Sequence, residues 1–542
     1  MHSIYCKVDI FLSVSGLFLE EDNVQFLNQV AKDIDRVEGA SGEKMMRKKR
    51  YAVIFMVLFL VATAIYIVHK NSEPIIHVPI PKDEIIVWSD KEVERQVREQ
   101  AGKSEGDVWL SDLWDIYSIK LEGEEIYSIR DLSVLLNLNR LSLVDTSVTD
   151  LSPLAGLKVL FTLRIEGGDS RILDSVGQLK YVLELSLEDL QINSLDNLKG
   201  LTQMGVLCLY DMPVCDIEAV KYMKRLRKFL AHDTLIEDIS PLKNLRELWW
   251  LEIFNSEVSE IPNLSGANNL ITIILYNNKI NRIVALPKNL RTLEMSYNNL
   301  KSDKNIKTAP NLSTLALNYN ELEEITDISS LKNLVRLELS YNNLKEIKSL
   351  KSAYGIQNLC LTVSELENYD FLEGMEKLFF LDLSGTDLSK LKTPMPNIES
   401  LHKIRARDCK LTNLEIFTGL EHMKWLDVRA NNLQDLSAVS QLKELSHLDI
   451  SKNVGLGKLV FPANNNITMV VAEECELKSL DVFLPVSGLL SLDVSGNKIE
   501  SVEAIRGMKK LKEIDINDNV IQPNDVLSKF AIDLEEWGWE GI

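Results

Sequence analysis

The chain has 542 residues, 45% of them hydrophobic, 26% charged and 7% aromatic, and 60 Lys plus Arg stand against 80 Asp plus Glu for a formal net charge of −20. This balance excludes a disordered polymer, a basic nucleic-acid binder and a multi-span membrane protein. The six cysteines form no CxxC pair and no zinc-type spacing, so neither a disulfide framework nor a metal site is expected.

Residues 1–50 read as a cytoplasmic tail, of which 1–44 would lie upstream of the true start if translation begins at Met45 or Met46. Tyr51–Val68 (YAVIFMVLFLVATAIYIV) carries no charge over 18 residues and follows Lys44, Arg47, Lys48, Lys49 and Arg50. As a helix it would span about 27 Å, close to the ~30 Å hydrocarbon core of a bilayer. The cations before it place that flank in the cytoplasm, which predicts one N-terminal transmembrane helix at the cell membrane with everything C-terminal to it extracellular. The alternative is a signal peptide cleaved after Ala64, because Ala62-Thr63-Ala64 has the small-x-small form of a cleavage site; the product would then be secreted. Residues 69–84 read as a linker and 85–115 as a helical cap. Ser89-Asp90-Lys91-Glu92 has the form of a capping box, and Val93 and Val97 begin an apolar stripe.

From Ile116 to residue 531 the chain follows the pattern L-x-x-L-x-L-x-x-N-x-L, as in Leu290, Leu293, Met295, Asn298 and Leu300. Nineteen repeats begin between Ile116 and Leu511, and 16 of their 18 spacings are 22 residues; residues 532–542 are left as a C-terminal cap or tail. No single repeat can bury its own apolar face, so stacking must supply the core. The L-x-L segment is expected to be a short strand, and neighbouring coils to pair as a parallel sheet. The fold class predicted is an α/β solenoid: a leucine-rich-repeat horseshoe of about 19 coils with a concave parallel sheet and a helical N-terminal cap. The ninth position turns the chain and must satisfy backbone groups hidden by stacking, which suits Asn, Thr, Ser or Cys. Gly168, Leu190 and Met212 break this rule in three successive coils, where looser geometry is expected. Cys409 and Cys475 obey it three coils apart, about 14 Å, and read as structural thiols beyond disulfide reach. The 20-residue coil containing Pro287 and the 23-residue coil containing Pro394 and Pro396 should vary in their convex loops and keep their strands.

The 22-residue period, the convex segments Asp150-Leu151-Ser152-Pro153-Leu154 and Asp238-Ile239-Ser240-Pro241-Leu242, and the helical cap together resemble bacterial internalin-type leucine-rich-repeat proteins over about residues 85–531. The resemblance implies a binding module whose variable concave positions contact a partner. Sorting motif and hydrophobic C-terminal tail are missing, which leaves Tyr51–Val68 to act as the anchor.

No phosphate-binding loop, HExxH helix or nucleophile elbow occurs, so no catalytic residue, metal ligand or cofactor is assigned and the chain reads as a non-enzyme. Positions three, five, seven and eight of each coil should point out of the sheet. Position seven of four consecutive coils reads Tyr210, His232, Phe254, Tyr276, and position eight of the next three reads Tyr297, Tyr319, Tyr341; Leu230, Trp250 and Ile274 lie beside them. Contiguous exposed aromatic area marks an interaction site, so these ten residues are the candidate contact surface for a protein or peptide. The competing reading is that like residues in a column only reinforce neighbouring strands. Farther along, Asp382, Arg405, Asp427, Asp449, Asp493 and Asp515 alternate at position five beside Arg407 and Arg429. They read as a secondary charged patch or as mutually screening neighbours. The function expected is an outward-facing, membrane-anchored binding protein with no nucleic-acid partner. Two alternatives stand beside it: a cytoplasmic regulatory subunit of an enzyme such as a phosphatase, and a carbohydrate-binding envelope protein.

Overall fold

A computed structural model describes residues 82–521, apart from 327, 346, 369, 392, 455, 457–460 and 463–465. The candidate membrane or signal segment at 51–68 and the tail at 532–542 therefore lie outside the described residues. Among the described residues, no helix is long and apolar enough to cross a membrane.

The N-terminal cap is built around the helix Lys91–Ala101. Its N-cap is Asp90, whose carboxylate accepts from the amides of Glu92 and Val93, and not Ser89 as the capping-box reading has it. Ser89 is instead turned to Asp131, to which its hydroxyl donates at 2.9 Å. Val93 and Val97 are fully buried, and Gly102 ends the helix in the left-handed conformation that a side chain would disfavour. The cap also reaches into the expected linker. The Ser111 amide donates to Asp83, Leu110 to the Glu84 carbonyl, and Ile86 to the Val108 carbonyl.

The same side of the helix closes the first edge of the sheet. Gln96 and Gln100, one turn apart, match residues 122 and 120 of the strand Ser118–Glu122. Each amide side chain donates to that residue's carbonyl (2.6 and 2.7 Å) and accepts from its N–H (2.9 and 3.0 Å). Two glutamines thus stand in for a neighbouring strand and leave no open ladder there.

Nineteen strands, from Ser118–Glu122 to Glu513–Asp515, form one parallel sheet in which each pairs with the strand of the next coil. The first seven strands have five residues, the later twelve only three. Side-chain alternation puts the two conserved-phase apolar positions inside, as with the fully buried Ile119 and Leu121, and one continuous core runs from Val93 to Leu511. Both irregular coils keep their sheet register, with Thr272 opposite Thr292 and Phe380 opposite Lys403. The length change falls on the far side. Ahead of Pro287, a small parallel pair, Glu260–Asn263 with Arg282–Ala285, replaces the 3-10 turns that most coils carry there.

Position nine forms a ladder. Asn320 donates to the carbonyls of Met295 (2.9 Å) and Leu317 (3.1 Å) and accepts from the Leu300 amide at 2.9 Å, so one amide stitches consecutive coils. The looser geometry expected at Gly168, Leu190 and Met212 is not found in the sheet: strands Thr162–Glu166, Glu184–Glu188 and Val206–Tyr210 are full length and in register. Leu190 and Met212 simply join the core. Gly168 fits where a Cβ would lie 2.2 Å from the Thr146 carbonyl oxygen, and the irregularity passes to the convex side as the helical turn Leu173–Val176.

Candidate functional site

The two aromatic columns merge into one chain of seven rings across seven coils. Tyr210 meets His232 edge-on at 5.0 Å, His232 stacks on Phe254 at 4.6 Å, and Phe254 meets Tyr276 edge-on at 6.0 Å. The column then steps from position seven to position eight. Tyr276 lies 5.0 Å from Tyr297, which stacks on Tyr319 at 4.0 Å and through it on Tyr341 at 4.1 Å. The last three rings are exposed, at 40%, 37% and 42%. Burial and the neighbouring hydroxyls of Tyr297 and Tyr341 push the pKa of Tyr319 up, and burial does the same to Tyr210.

The backbone explains the step. Position eight has positive φ in all nineteen coils, and in twelve it is Gly, Asn or Asp, the residues that tolerate it. Asp233, Asn255 and Asn277 form an amide ladder there, with Asn255 donating to Asp233 at 2.9 Å and Asn277 to Asn255 at 2.8 Å. Tyr297, Tyr319 and Tyr341 replace this ladder with rings at φ of 59°, 52° and 56°, a conformation that costs a side chain of this kind roughly 1–2 kcal/mol.

Beside the rings, Trp250 and Leu230 are half-buried as expected of an exposed face, but Ile274 is only 7% exposed. It lies between Glu252 and Glu294 in the register, with strands paired on both of its sides, and forms part of the floor of the band. Residue patterning missed Glu252, whose carboxylate holds the band together. It lies 2.8 Å from His232 Nε2 and accepts from Trp250 Nε1 at 2.9 Å. It also missed Trp249 at position two, which meets Trp250 edge-on at 5.7 Å and carries Lys228 Nζ 4.8 Å over its ring. The Trp249-Trp250 pair was the available signal for that rim.

The secondary charged residues are brought together with one another. Arg405 pairs with Asp382 at 2.9 Å, Arg407 with Asp427 at 2.5 Å and Arg429 with Asp449 at 2.6 Å, and the three carboxylates are buried. Asp382 and Asp449 also accept from the amides and hydroxyls of Ser384 and Ser451 two residues on. The arrangement is a cross-strand ion-pair ladder. Cys409 and Cys475 are fully buried, their thiols pushed up to about 12 and about 11 by burial. Among the described residues, no group of His, Cys, Asp and Glu is placed to hold a metal ion.

No family model and no curated protein sequence matches this chain. Solved structures do. A leucine-rich-repeat protein of Leptospira interrogans aligns at 20% identity over 73% of this chain and 100% of its own, with a TM-score of 0.50. TLR13, in a complex with ssRNA13, aligns at 18% identity over 79% of this chain and 78% of its own, with a TM-score of 0.53. By fold, the chain is a leucine-rich-repeat protein. The functional domain of the internalin InlJ from Listeria monocytogenes is a further neighbour, at 17% identity over 80% of each chain with a TM-score of 0.46. The likeness to bacterial leucine-rich-repeat proteins drawn from the 22-residue period is thus met at the level of the fold.

Proposed function

We propose that this chain is a non-enzymatic binding module that captures a protein or peptide segment on its sheet face, along the seven-ring band from Tyr210 to Tyr341. The observation that carries the reading is the stacked, exposed trio Tyr297, Tyr319 and Tyr341, held in left-handed backbone where twelve other coils use Gly, Asn or Asp. The same backbone also carries Val363, Ala430, Lys452 and Glu474, so it is the stacking and exposure of the three rings that set the trio apart. Large exposed aromatic area is the usual anchor of an interface. The net charge of −20 opposes a polyanionic ligand, which supports a partner other than nucleic acid. In the same reading, residues 51–68 anchor the chain in the cell membrane with the repeats outside.

A photo-crosslinking phenylalanine analogue placed at Tyr319 in the full chain tests the binding face in intact cells. A discrete partner should be captured there and not from the same analogue at Tyr222, which is exposed on the convex side. Equal capture from both positions would remove the case for this face.

A further inference from the structure

Three carboxylates point outward from alternate strands beneath the ring chain: Glu252, Glu294 and Glu338. The first is engaged by His232 and Trp250. The third pairs with Arg336 at 2.5 Å and accepts from Asn318 Nδ2 at 2.7 Å. Glu294, between Ile274 and Ala316 in the register, makes no side-chain hydrogen bond or ion pair among the described residues, although it is only partly exposed. Burial, and next the charge of Glu338, push its pKa up, with Arg336 offsetting part of that. A carboxylate withdrawn from water without a partner costs stability, and a threonine, as at Thr292 two residues before it, would fill the space without that cost.

Its surroundings give the carboxylate a use. Thr272, Thr292, Thr314 and Ala316 around it are short, and in the register Glu294 lies opposite Ile274, two residues before Tyr276 on the same face of the sheet. The rings of Tyr276 and Tyr297 are 5.0 Å apart, and burial, then Tyr297, and last the Glu294 charge push the pKa of the Tyr276 phenol up. Ring faces and a desolvated carboxylate attract the same thing, a cation.

We propose that Glu294, with the rings of Tyr276 and Tyr297, seats a basic side chain, arginine in preference to lysine, of the segment bound on the aromatic band. Arginine fits better because its flat guanidinium stacks on rings while donating to a carboxylate and sheds water more readily than an ammonium. The inference rests on the reading of the band as a protein- or peptide-binding face, and the acidic net charge of the chain favours the same partner.

Short random peptides selected against the detergent-solubilised full chain provide the probe, with melting curves showing each variant folded. Peptides whose binding is lost in the Trp250→Ala, Phe254→Ala chain should be enriched in arginine or lysine. Glu294→Gln should weaken them at least about tenfold, citrulline in place of the peptide arginine should do the same, and both changes together should lose little more than either alone. Band-dependent peptides that lack basic enrichment and bind Glu294→Gln unchanged would overturn the cation seat and leave the binding face standing. Failure to obtain any band-dependent peptide would overturn both.

Discussion

A positive φ of about 50° to 60° at position eight is harmless for Asp145 or Asn277 but forces Val363, a β-branched residue 41% exposed, into a conformation it disfavours at φ 52°. Val363→Asn is therefore expected to stabilise the chain by about 1 kcal/mol in urea unfolding, with the slope of the transition unchanged. Glu294 gives a second expectation at this scale. Its pKa is raised in the folded chain, so the folded state disfavours the ionised form, and the cost is present at neutral pH and relieved as pH falls and the group protonates. Glu294→Gln should raise the melting temperature by about 1 to 2 °C at pH 7, and the gain should shrink toward zero near pH 4. The charges of Glu338 and Glu252 add to that cost and Arg336 offsets part of it, so the gain contains their interaction with Glu294 as well as its burial. A gain that grew on acidification would mean that Glu294 has a partner in the folded chain.

At the scale of elements, the sheet succeeds because its first edge is closed by Gln96 and Gln100 and its turns are stitched by the position-nine asparagines. Replacing both glutamines by alanine should cost about 2 kcal/mol and expose the Ser118–Glu122 edge, so that the variant self-associates in sedimentation while the parent chain does not. The strands and the core phase were legible in the chain because period and alternation are dictated by burial, as Leu290, Leu293 and Met295 illustrate. The glutamine edge cap was not. Its signal is a bare Q-x-x-x-Q on a helix face, which has meaning only once the strand it matches is known. The irregularity expected at Leu190 and Met212 failed for a related reason: an apolar residue at position nine can enter the core, and strand pairing then holds the register without the ladder.

For the whole molecule, the two aromatic columns could be listed from the sequence, but their fusion through Tyr276 and Tyr297 depends on the left-handed turn after each strand, which Gly, Asn and Asp signal at position eight of twelve coils and the tyrosines themselves do not. The ion-pair ladder of Arg405, Arg407 and Arg429 was visible only as an alternation of signs. The proposed anchor carries its own expectation: protease added to intact cells should remove the repeats, and washing at high salt should not release the chain from the membrane fraction, because salt does not extract a spanning helix. A mature N-terminus at Ile65 in culture fluid would replace the anchor by a cleaved signal. The central claim is that the ring chain binds a partner and is not only sheet reinforcement. It is tested most directly by the affinity of the Trp250→Ala, Phe254→Ala chain for the partner captured at Tyr319, with its melting temperature taken on the same sample. Binding should fall at least about thirtyfold, or about 2 kcal/mol, while the melting temperature moves by only a few degrees. Unchanged affinity, or a chain that no longer folds, would contradict the claim.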